Sequence, residues 1–277
     1  MNPAQVVRRA ADYLERHDVD SPLPTAEQLL ASVLGTDRAG IYRRIEPLRG
    51  SEARAFGRAL CRRCDGVPTQ HLTGETGFRH LTLVVRPGVF VPRPETEVVV
   101  EAALEALEGR TSPAVVDVGT GSGAIALAIK HERPDARVWA LDRSADAVAL
   151  ARHNAERSEL DVTVLQSDLL RALDVRRTGP LDLVVSNPPY IEPEAVDSLP
   201  PEVRADPFDA LVGGASFYGP LCEQAAGLLR GGGSVVVEIG DRQAEAVSTT
   251  AMGAGAVRIS VRPDLAGRDR VAVATWP

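Results

Sequence analysis

Cysteine is scarce in this chain. Cys61, Cys64 and Cys222 are the three among 277 residues, too few and too unevenly spaced for a disulfide framework. Cys61-Arg62-Arg63-Cys64 has metal-like spacing, but no second Cys or His pair stands at finger distance. It reads as two positions on one helix, and no metal site is expected. Long apolar runs are missing too: none approaches the ~18 residues needed to span a bilayer. Arg8-Arg9 near the start lead into Asp12, Glu15, Arg16 and Asp18, not into an apolar stretch, so no secretory signal is read. A reducing cytoplasm is the expected setting. The chain also lacks a basic balance: 31 basic residues against 38 acidic give a net charge of −7. That argues against affinity founded on nucleic-acid phosphates, and neither direct nucleic-acid binding nor a membrane is expected. Lysine is almost absent, Lys130 being the single one, which reads as codon-composition bias. No internal repeat or low-complexity tract interrupts the chain.

What remains is an ordinary globular composition, 44% hydrophobic and 25% charged, long enough for one large or two modest domains. Residues 1 to about 80 carry helical spacing. Val6, Val7, Ala10, Ala11 and Leu14 form one stripe, and residues 25–34 and 51–63 repeat the pattern, with Ser51 a plausible N-cap. Pro22, Pro24, Gly35 and Gly66 break these segments apart, predicting a small helical bundle. Residues 81–91 read as two extended pieces around Pro87-Gly88, a hairpin candidate near a domain boundary. The organisation expected is a helical domain at 1–80, a hairpin or linker at 81–97 and a second domain at 98–277.

From residue 114 strands and helices alternate. Strands are predicted at 114–118, 137–141, 162–166, 181–186, 234–239, 257–261 and 270–275, with helices at 123–132 and 145–157. Alternation of this kind means right-handed βαβ units and a doubly wound α/β sheet. The last two strands are close enough to pair as a hairpin at the sheet edge.

The glycine turn Gly119-Thr120-Gly121-Ser122-Gly123 joins the first of these strands to a helix and allows a ligand to approach the backbone. Taken alone it also satisfies a loose dinucleotide fingerprint. Two acids narrow the choice. Asp142 ends the next strand, roughly 20 residues beyond the turn, where a carboxylate accepts from ribose hydroxyls. Asp168, at the end of the third strand, can accept from an adenine amino group, with Leu169 packing on the ring. Either acid alone also suits a helix N-cap. Asp117, inside the first strand, either receives an amino group or braces the glycine turn. An adenosine cofactor with a charged amino-acid tail fits this set, S-adenosylmethionine better than a dinucleotide.

Asn187-Pro188-Pro189-Tyr190 follows the apolar run 181–186. The residue before a proline is pushed out of the α region, which holds Asn187 extended at a strand tip. The prolines lack an N–H, so the local backbone offers acceptors with few competing donors. The Asn187 side-chain oxygen and a backbone carbonyl can accept both hydrogens of a planar NH2 group, and Tyr190 can stack on that group. The plainer reading of Asn-Pro is a turn.

With these motifs in place the chain resembles the HemK/PrmC family of glutamine N5-methyltransferases that act on peptide chain release factors. The resemblance covers nearly the whole chain. Gly74 to Phe78 and Val91-Pro92-Arg93-Pro94-Glu95-Thr96-Glu97 resemble the segment joining that family's helical and catalytic domains. Asp117 to Gly123 resemble its cofactor loop, Asp142 its ribose ligand, and Gln166 to Leu169 its adenine edge. Asn187 to Tyr190 resemble its substrate clamp, with Asn187 also facing the cofactor. Asp206-Pro207, Ala210-Leu211 and Gly213-Gly214 match a later segment, although Glu is more usual before that proline. Asp264 to Arg270 resemble its C-terminal signature, while Ala215 to Gly219 depart from the family pattern. The resemblance implies a Rossmann-like class I methyltransferase fold: a seven-stranded, mostly parallel sheet with an antiparallel edge strand, plus an N-terminal helical bundle that helps recognise the protein substrate. It also implies S-adenosyl-L-methionine as cofactor, S-adenosyl-L-homocysteine as product, and the glutamine of the Gly-Gly-Gln motif in class 1 release factors as methyl acceptor.

The clamp tetrapeptide also occurs in enzymes that methylate amino groups of DNA and RNA, and related enzymes methylate a ribosomal-protein glutamine. Pro92 to Glu97 favour the release-factor branch. A nicotinamide-dependent dehydrogenase would leave Asn187 to Tyr190 without a place, and a non-catalytic binding module would have no use for an intact loop, acids and clamp.

Overall fold

The computed structural model describes residues 1–264 and 266–277; Leu265, within the C-terminal signature segment, lies outside the described residues. The chain divides into two compact units, one of residues 1–75 with 199–205 and one of residues 76–198 with 206–277.

The first unit is helical: α1 (Pro3–Glu15), α2 (Pro22–Leu34), α3 (Arg38–Arg43), α4 (Gly50–Cys64) and α5 (Thr69–Thr73). Helix α1 opens on a capping box in which Asn2 accepts from the Gln5 N–H and the Gln5 side chain accepts from the Asn2 N–H, satisfying two otherwise orphaned donors. Val7, Ala10 and Leu14 from α1 meet Leu29 and Leu30 from α2, Ile41 and Phe56 in one apolar core. Cys61 and Cys64 both lie on α4. Residues 199–205 complete this unit, and within it the buried Arg63 pairs with Glu202 at 2.5 Å.

In the second unit a two-stranded sheet, β1 (Glu75–Phe78, reaching back one residue across the division) and β2 (Leu81–Val84), precedes α6 (Glu97–Ala106). The hairpin therefore turns at Arg79-His80 and not at Pro87-Gly88. Arg79 sits at φ 51 and is held from outside the hairpin. Its side chain bonds Glu132 at 2.8 and 2.7 Å and Glu101 at 3.0 Å, and its N–H donates to Glu97. These tertiary contacts take the place of the glycine a short turn ordinarily uses.

The main sheet follows: β3 (Ala114–Val118), α7 (Ala124–Glu132), β4 (Arg137–Asp142), α8 (Ala145–Arg157), β5 (Val162–Gln166), β6 (Leu181–Ser186), β7 (Leu229–Glu238), β8 (Arg258–Pro263) and β9 (Asp269–Thr275). Among the described residues its order is β5-β4-β3-β6-β7-β9-β8. The β3–β4, β3–β6, β4–β5 and β6–β7 pairs are parallel, while β9 runs antiparallel to both β7 and β8. The antiparallel strand thus lies one place in from the edge, and β8 takes the edge itself. Burial explains the exchange. β9 is largely buried whereas β8 is not, so the more apolar strand occupies the inner slot. Strand β7 begins at Leu229, earlier than the apolar run 234–239 suggests. Its glycines carry the chain across a register irregularity against β6, with Gly232 at φ 73.

Helices cover both faces, as a parallel sheet buried on two sides requires. Val115, Leu183 and Val185 pack with α6, α7 and α8 on one face. Val116, Val184 and Val235 pack with helices Tyr218–Ala226 and Ala244–Gly253 on the other. Among the described residues no helix is long and apolar enough to cross a membrane.

Candidate active site

The C-terminal ends of β3, β4 and β6 gather the glycine turn, Asp142 and Asn187 onto one rim of the sheet, the side on which open α/β sheets bind ligands. Gly119, Gly121 and Gly123 all turn with positive φ, at 73°, 56° and 89°. At Gly123 a Cβ would stand 3.1 Å from Leu127 and 3.4 Å from Ala151, so this glycine lets the turn pack closely on α7 and α8. Gly119 and Thr120 donate to the Leu141 carbonyl at 2.8 and 2.9 Å.

Alternation along β3 places Asp117 on the face of Val115, beneath the start of α7. It is fully buried, and its Oδ2 accepts from the Thr120 hydroxyl at 2.6 Å and from the Ala126 N–H at 3.1 Å. The helix N-cap is Gly123, which has no side chain to offer, so Asp117 supplies the missing acceptor from the strand below. Through Oδ2 Asp117 braces the glycine turn, while its buried Oδ1 takes no hydrogen bond from any described residue. Burial raises its pKa to about 7, against the opposing pull of the Thr120 and Ala126 hydrogen bonds, with nearby Asp142 adding to the rise.

Asp142 is the last residue of β4. Its Oδ2 accepts from the Gly121 N–H at 2.9 Å and its Oδ1 from the Ser144 N–H at 2.8 Å. Each oxygen keeps a further lone pair. Asp168 lies two residues beyond β5 instead of at its end, exposed and paired with Arg171 at 2.6 Å. Leu169 beside it stands at φ 51, which costs a non-glycine residue roughly 1–2 kcal/mol. Buried Ser167 offsets this by donating to the Leu169 carbonyl at 2.7 Å and accepting from the Ala172 N–H at 3.0 Å. Buried Asn154, on α8, bonds both the N–H and the carbonyl of Val84 and the carbonyl of Ser122, tying β2 to the glycine turn.

Asn187 follows β6 directly. Its Nδ2 donates to the Thr96 hydroxyl at 3.0 Å, and its Oδ1 takes no hydrogen bond from any described residue. Tyr190 donates its hydroxyl to Glu238 Oε1 at 3.0 Å, and its carbonyl accepts from Gln243 Nε2 at 2.8 Å. Burial, followed by the charge of Glu238, pushes the Tyr190 pKa well up, so the phenol is neutral. The chain then pairs with the segment after Asp206: Ile191 donates to the Leu211 carbonyl at 2.9 Å and Gly213 to the Ile191 carbonyl at 3.2 Å. Asp206 is buried and holds the Val91 N–H at 3.1 Å and Arg93 at 2.5 Å. The segments 91–97, 187–192 and 206–214 are thereby one assembly.

Beneath it lies Glu238, at the end of β7 and 3% exposed. It accepts from Thr96 at 2.7 Å and from Tyr190 at 3.0 Å. Arg270 reaches Tyr190 Oη and the Ile239 carbonyl at 3.5 Å each and Asp264 at 3.1 Å. Sequence reasoning quoted Thr96, Ser167 and Arg270 only within longer motifs and missed Glu238, Gln243 and Asn154 altogether. A signal for Glu238 existed: a single acid closing the run Val235-Val236-Val237, the same placement as Asp142 at the end of β4. Among the described residues no cluster of His, Cys, Asp and Glu could hold a metal.

A family model described as the methyltransferase small domain matches residues 80–200, and one described as the PrmC N-terminal domain matches residues 5–74. Among solved structures, the chain is similar to a 16S rRNA methyltransferase of T. thermophilus in complex with AdoMet and guanosine, with a TM-score of 0.53, 22% identity, and 73% of this chain and 50% of that one covered. It is also similar to a ribosomal protein L11 methylase of Lactobacillus delbrueckii subsp. bulgaricus, with a TM-score of 0.50, 20% identity, and 73% and 99% covered. The fold is the Rossmann-like α/β fold of class I methyltransferases. Curated relatives narrow this further. A release factor glutamine methyltransferase of Moorella thermoacetica is 43% identical over 277 residues, covering 98% of this chain and 97% of that one. One from Deinococcus radiodurans is 40% identical over 275 residues with the same coverage. The chain belongs to the release factor glutamine methyltransferase family.

Proposed function

We propose that this protein transfers a methyl group from S-adenosyl-L-methionine to the side-chain amide nitrogen of the glutamine in the Gly-Gly-Gln motif of class 1 peptide chain release factors. The observation that carries the reading is the state of Asn187 at the strand tip: its NH2 is held by Thr96 while its Oδ1 takes no hydrogen bond from any described residue.

The residues on the rim fit the cofactor. A Cβ added at Gly119 would meet nothing within 4 Å, so the turn's backbone borders open space that a ligand can approach. On this reading Asp142, which retains lone pairs, accepts from the ribose hydroxyls, Leu169 packs on the adenine ring and Asp168 accepts from its amino group. Thr120, Gly121, Ser122 and Gly123 shape the turn, and Asp117 fixes it from below. When bound, the cofactor supplies an electrophilic methyl on a sulfonium.

A glutamine amide nitrogen is a weak nucleophile because its lone pair is shared with the carbonyl; the ~18–20 kcal/mol rotation barrier of an amide gives the scale of that sharing. Asn187 Oδ1 and the Pro188 carbonyl together accept both N–H hydrogens, which favours positive charge developing on the nitrogen. This is electrostatic stabilisation by groups already in place. Holding the nitrogen in line with the methyl supplies up to ~7–11 kcal/mol more. Pro189 stiffens the loop, and Tyr190, anchored through its hydroxyl, presents its ring to the planar amide. No strong base is needed, since the methylated nitrogen is acidic and can lose its proton to water.

The test is mass spectrometry of a purified class 1 release factor after incubation with the protein and S-adenosylmethionine. One added methyl on the Gly-Gly-Gln glutamine, lost with Asn187→Ala while cofactor binding persists, is the expected result. No methyl on that glutamine, or an Asn187→Ala variant at near-normal rate, overturns the reading.

A further inference from the structure

We infer that Glu238, acting through Thr96, fixes which end of the Asn187 carboxamide faces the substrate; the inference rests on the clamp role of Asn187 proposed above. A carboxamide is nearly symmetric in shape, and only its hydrogen-bond partners distinguish its oxygen from its NH2. A threonine hydroxyl beside it does not settle the matter, because a hydroxyl both donates and accepts. Glu238 does. Both Glu238 oxygens accept, Oε2 from Thr96 Oγ1 at 2.7 Å and Oε1 from the Tyr190 hydroxyl at 3.0 Å, so the single hydrogen of Thr96 is committed to Glu238; burial raises the carboxyl's pKa, and these two hydrogen bonds and the Arg270 charge oppose that rise. Toward Asn187, Thr96 then has only a lone pair to offer. That lone pair selects the NH2 end, at 3.0 Å, and turns Oδ1 outward.

The other carboxylate oxygen imposes the same polarity on Tyr190, whose hydroxyl hydrogen points to Glu238 at 3.0 Å. Its oxygen is thereby free to accept from Arg270 at 3.5 Å. Thr96 and Glu238 are each 3% exposed, so water does not compete for these bonds. Reversed, the carboxamide would aim its NH2 at the substrate NH2, donor against donor, and leave the Pro188 carbonyl as the clamp's one acceptor. Thr96 and Glu238 are positioning residues, touching neither cofactor nor substrate.

Kinetics of methyl transfer to a class 1 release factor test this with four variants. Thr96→Val keeps the shape of the side chain and removes the relay; kcat should fall ~10–100-fold, with KM and cofactor affinity little changed. Thr96→Ser should recover kcat to within ~3-fold. Glu238→Gln, which can donate as well as accept, should lose transfer as Thr96→Val does. In an Asn187→Ala background Thr96→Val should cost less than ~2-fold, because residues acting as one unit are not additive. A Thr96→Val variant at wild-type rate, or one losing the same factor with Asn187 absent, overturns the inference. A second readout needs no substrate: by NMR, hydrogen exchange of the Asn187 side-chain NH2 should quicken in Thr96→Val and stay slow in Thr96→Ser, and unchanged exchange in both overturns it. Should the wild-type protein leave the release factor unmethylated, the proposed function fails, and the exchange measurement alone decides the relay.

Discussion

Gly213 gives the sharpest steric prediction in the molecule. Its φ is −170°, outside the left-handed region. The obstacle is the clamp. A Cβ at Gly213 would lie 2.3 Å from the Pro189 carbonyl oxygen, 3.0 Å from its Cγ and 3.3 Å from its Cβ. Cβ contacts essentially never fall below 3.0 Å, so Gly213→Ala must drive Pro189 back by about 0.7 Å at least, and about 1 Å to reach ordinary contact. Sliding the strands apart does not relieve this, because Ile191 is bonded on both sides, to the Leu211 carbonyl and by the Gly213 N–H. The displacement passes directly to Pro188 and Asn187. Misplacement of about 1 Å costs on the order of 10²-fold in rate, which is about 3 kcal/mol of transition-state stabilisation. Overpacking should also lower stability by about 1–3 kcal/mol. Initial rates of methyl transfer from labelled S-adenosylmethionine, with thermal melting and calorimetric cofactor affinity alongside, separate the effects. The expected result is a rate about 10²-fold lower at near-normal cofactor affinity. Gly219→Ala, whose Cβ meets only Thr250 at 3.9 Å, is the control and should behave as wild type. A Gly213→Ala enzyme with unchanged kcat refutes the argument that this contact sets the clamp.

Two further outcomes are expected. Asp142→Ala should weaken S-adenosylmethionine binding about 10–100-fold by calorimetry, the loss of one or two charge-assisted hydrogen bonds; unchanged affinity would remove Asp142 from the ribose site. Asp117 governs a pH dependence. Its folded pKa of about 7 lies above the ordinary value of 3.8, so the native state holds the proton more tightly than the unfolded chain. The stability this contributes is fully present below 3.8 and lost as pH rises through about 7, a span worth up to roughly 4 kcal/mol. Asp117→Asn cannot ionise, so its stability should change less between pH 4 and 8 than that of wild type, whatever its offset. Parallel stability profiles from denaturant melts would count against the buried charge.

The sheet was readable because parallel strands buried on both faces are near-continuous apolar runs: 114–118 and 181–186 stand where the pattern puts them. The placement of Asn187 and Asp142 on the rim of the sheet was readable because each closes a strand's run. The hairpin was misplaced because Pro87-Gly88 is a strong local signal, whereas the real turn at Arg79-His80 owes its geometry to Glu97, Glu101 and Glu132, which no local window contains. Residues 199–205 belong with the helical unit, and nothing in their own pattern says so. Glu238 escaped notice for a related reason. Its partners Thr96 and Tyr190 lie 142 and 48 residues away, and a lone acid after three valines reads first as the strand's exit to solvent.

The placement of β9 has a consequence for the order in which the molecule is made. Arg270, which supports Tyr190 and the Ile239 carbonyl, lies in β9, which follows the glycine turn, Asp142 and Asn187 in sequence and inserts between β7 and β8. A nascent chain that has already produced the glycine turn, Asp142 and Asn187 still has an open edge on β7 and no guanidinium beneath the clamp. The candidate site is therefore completed only after residue 270 has been made, and a product truncated before it carries the glycine turn, Asp142 and Asn187 without the support of Arg270.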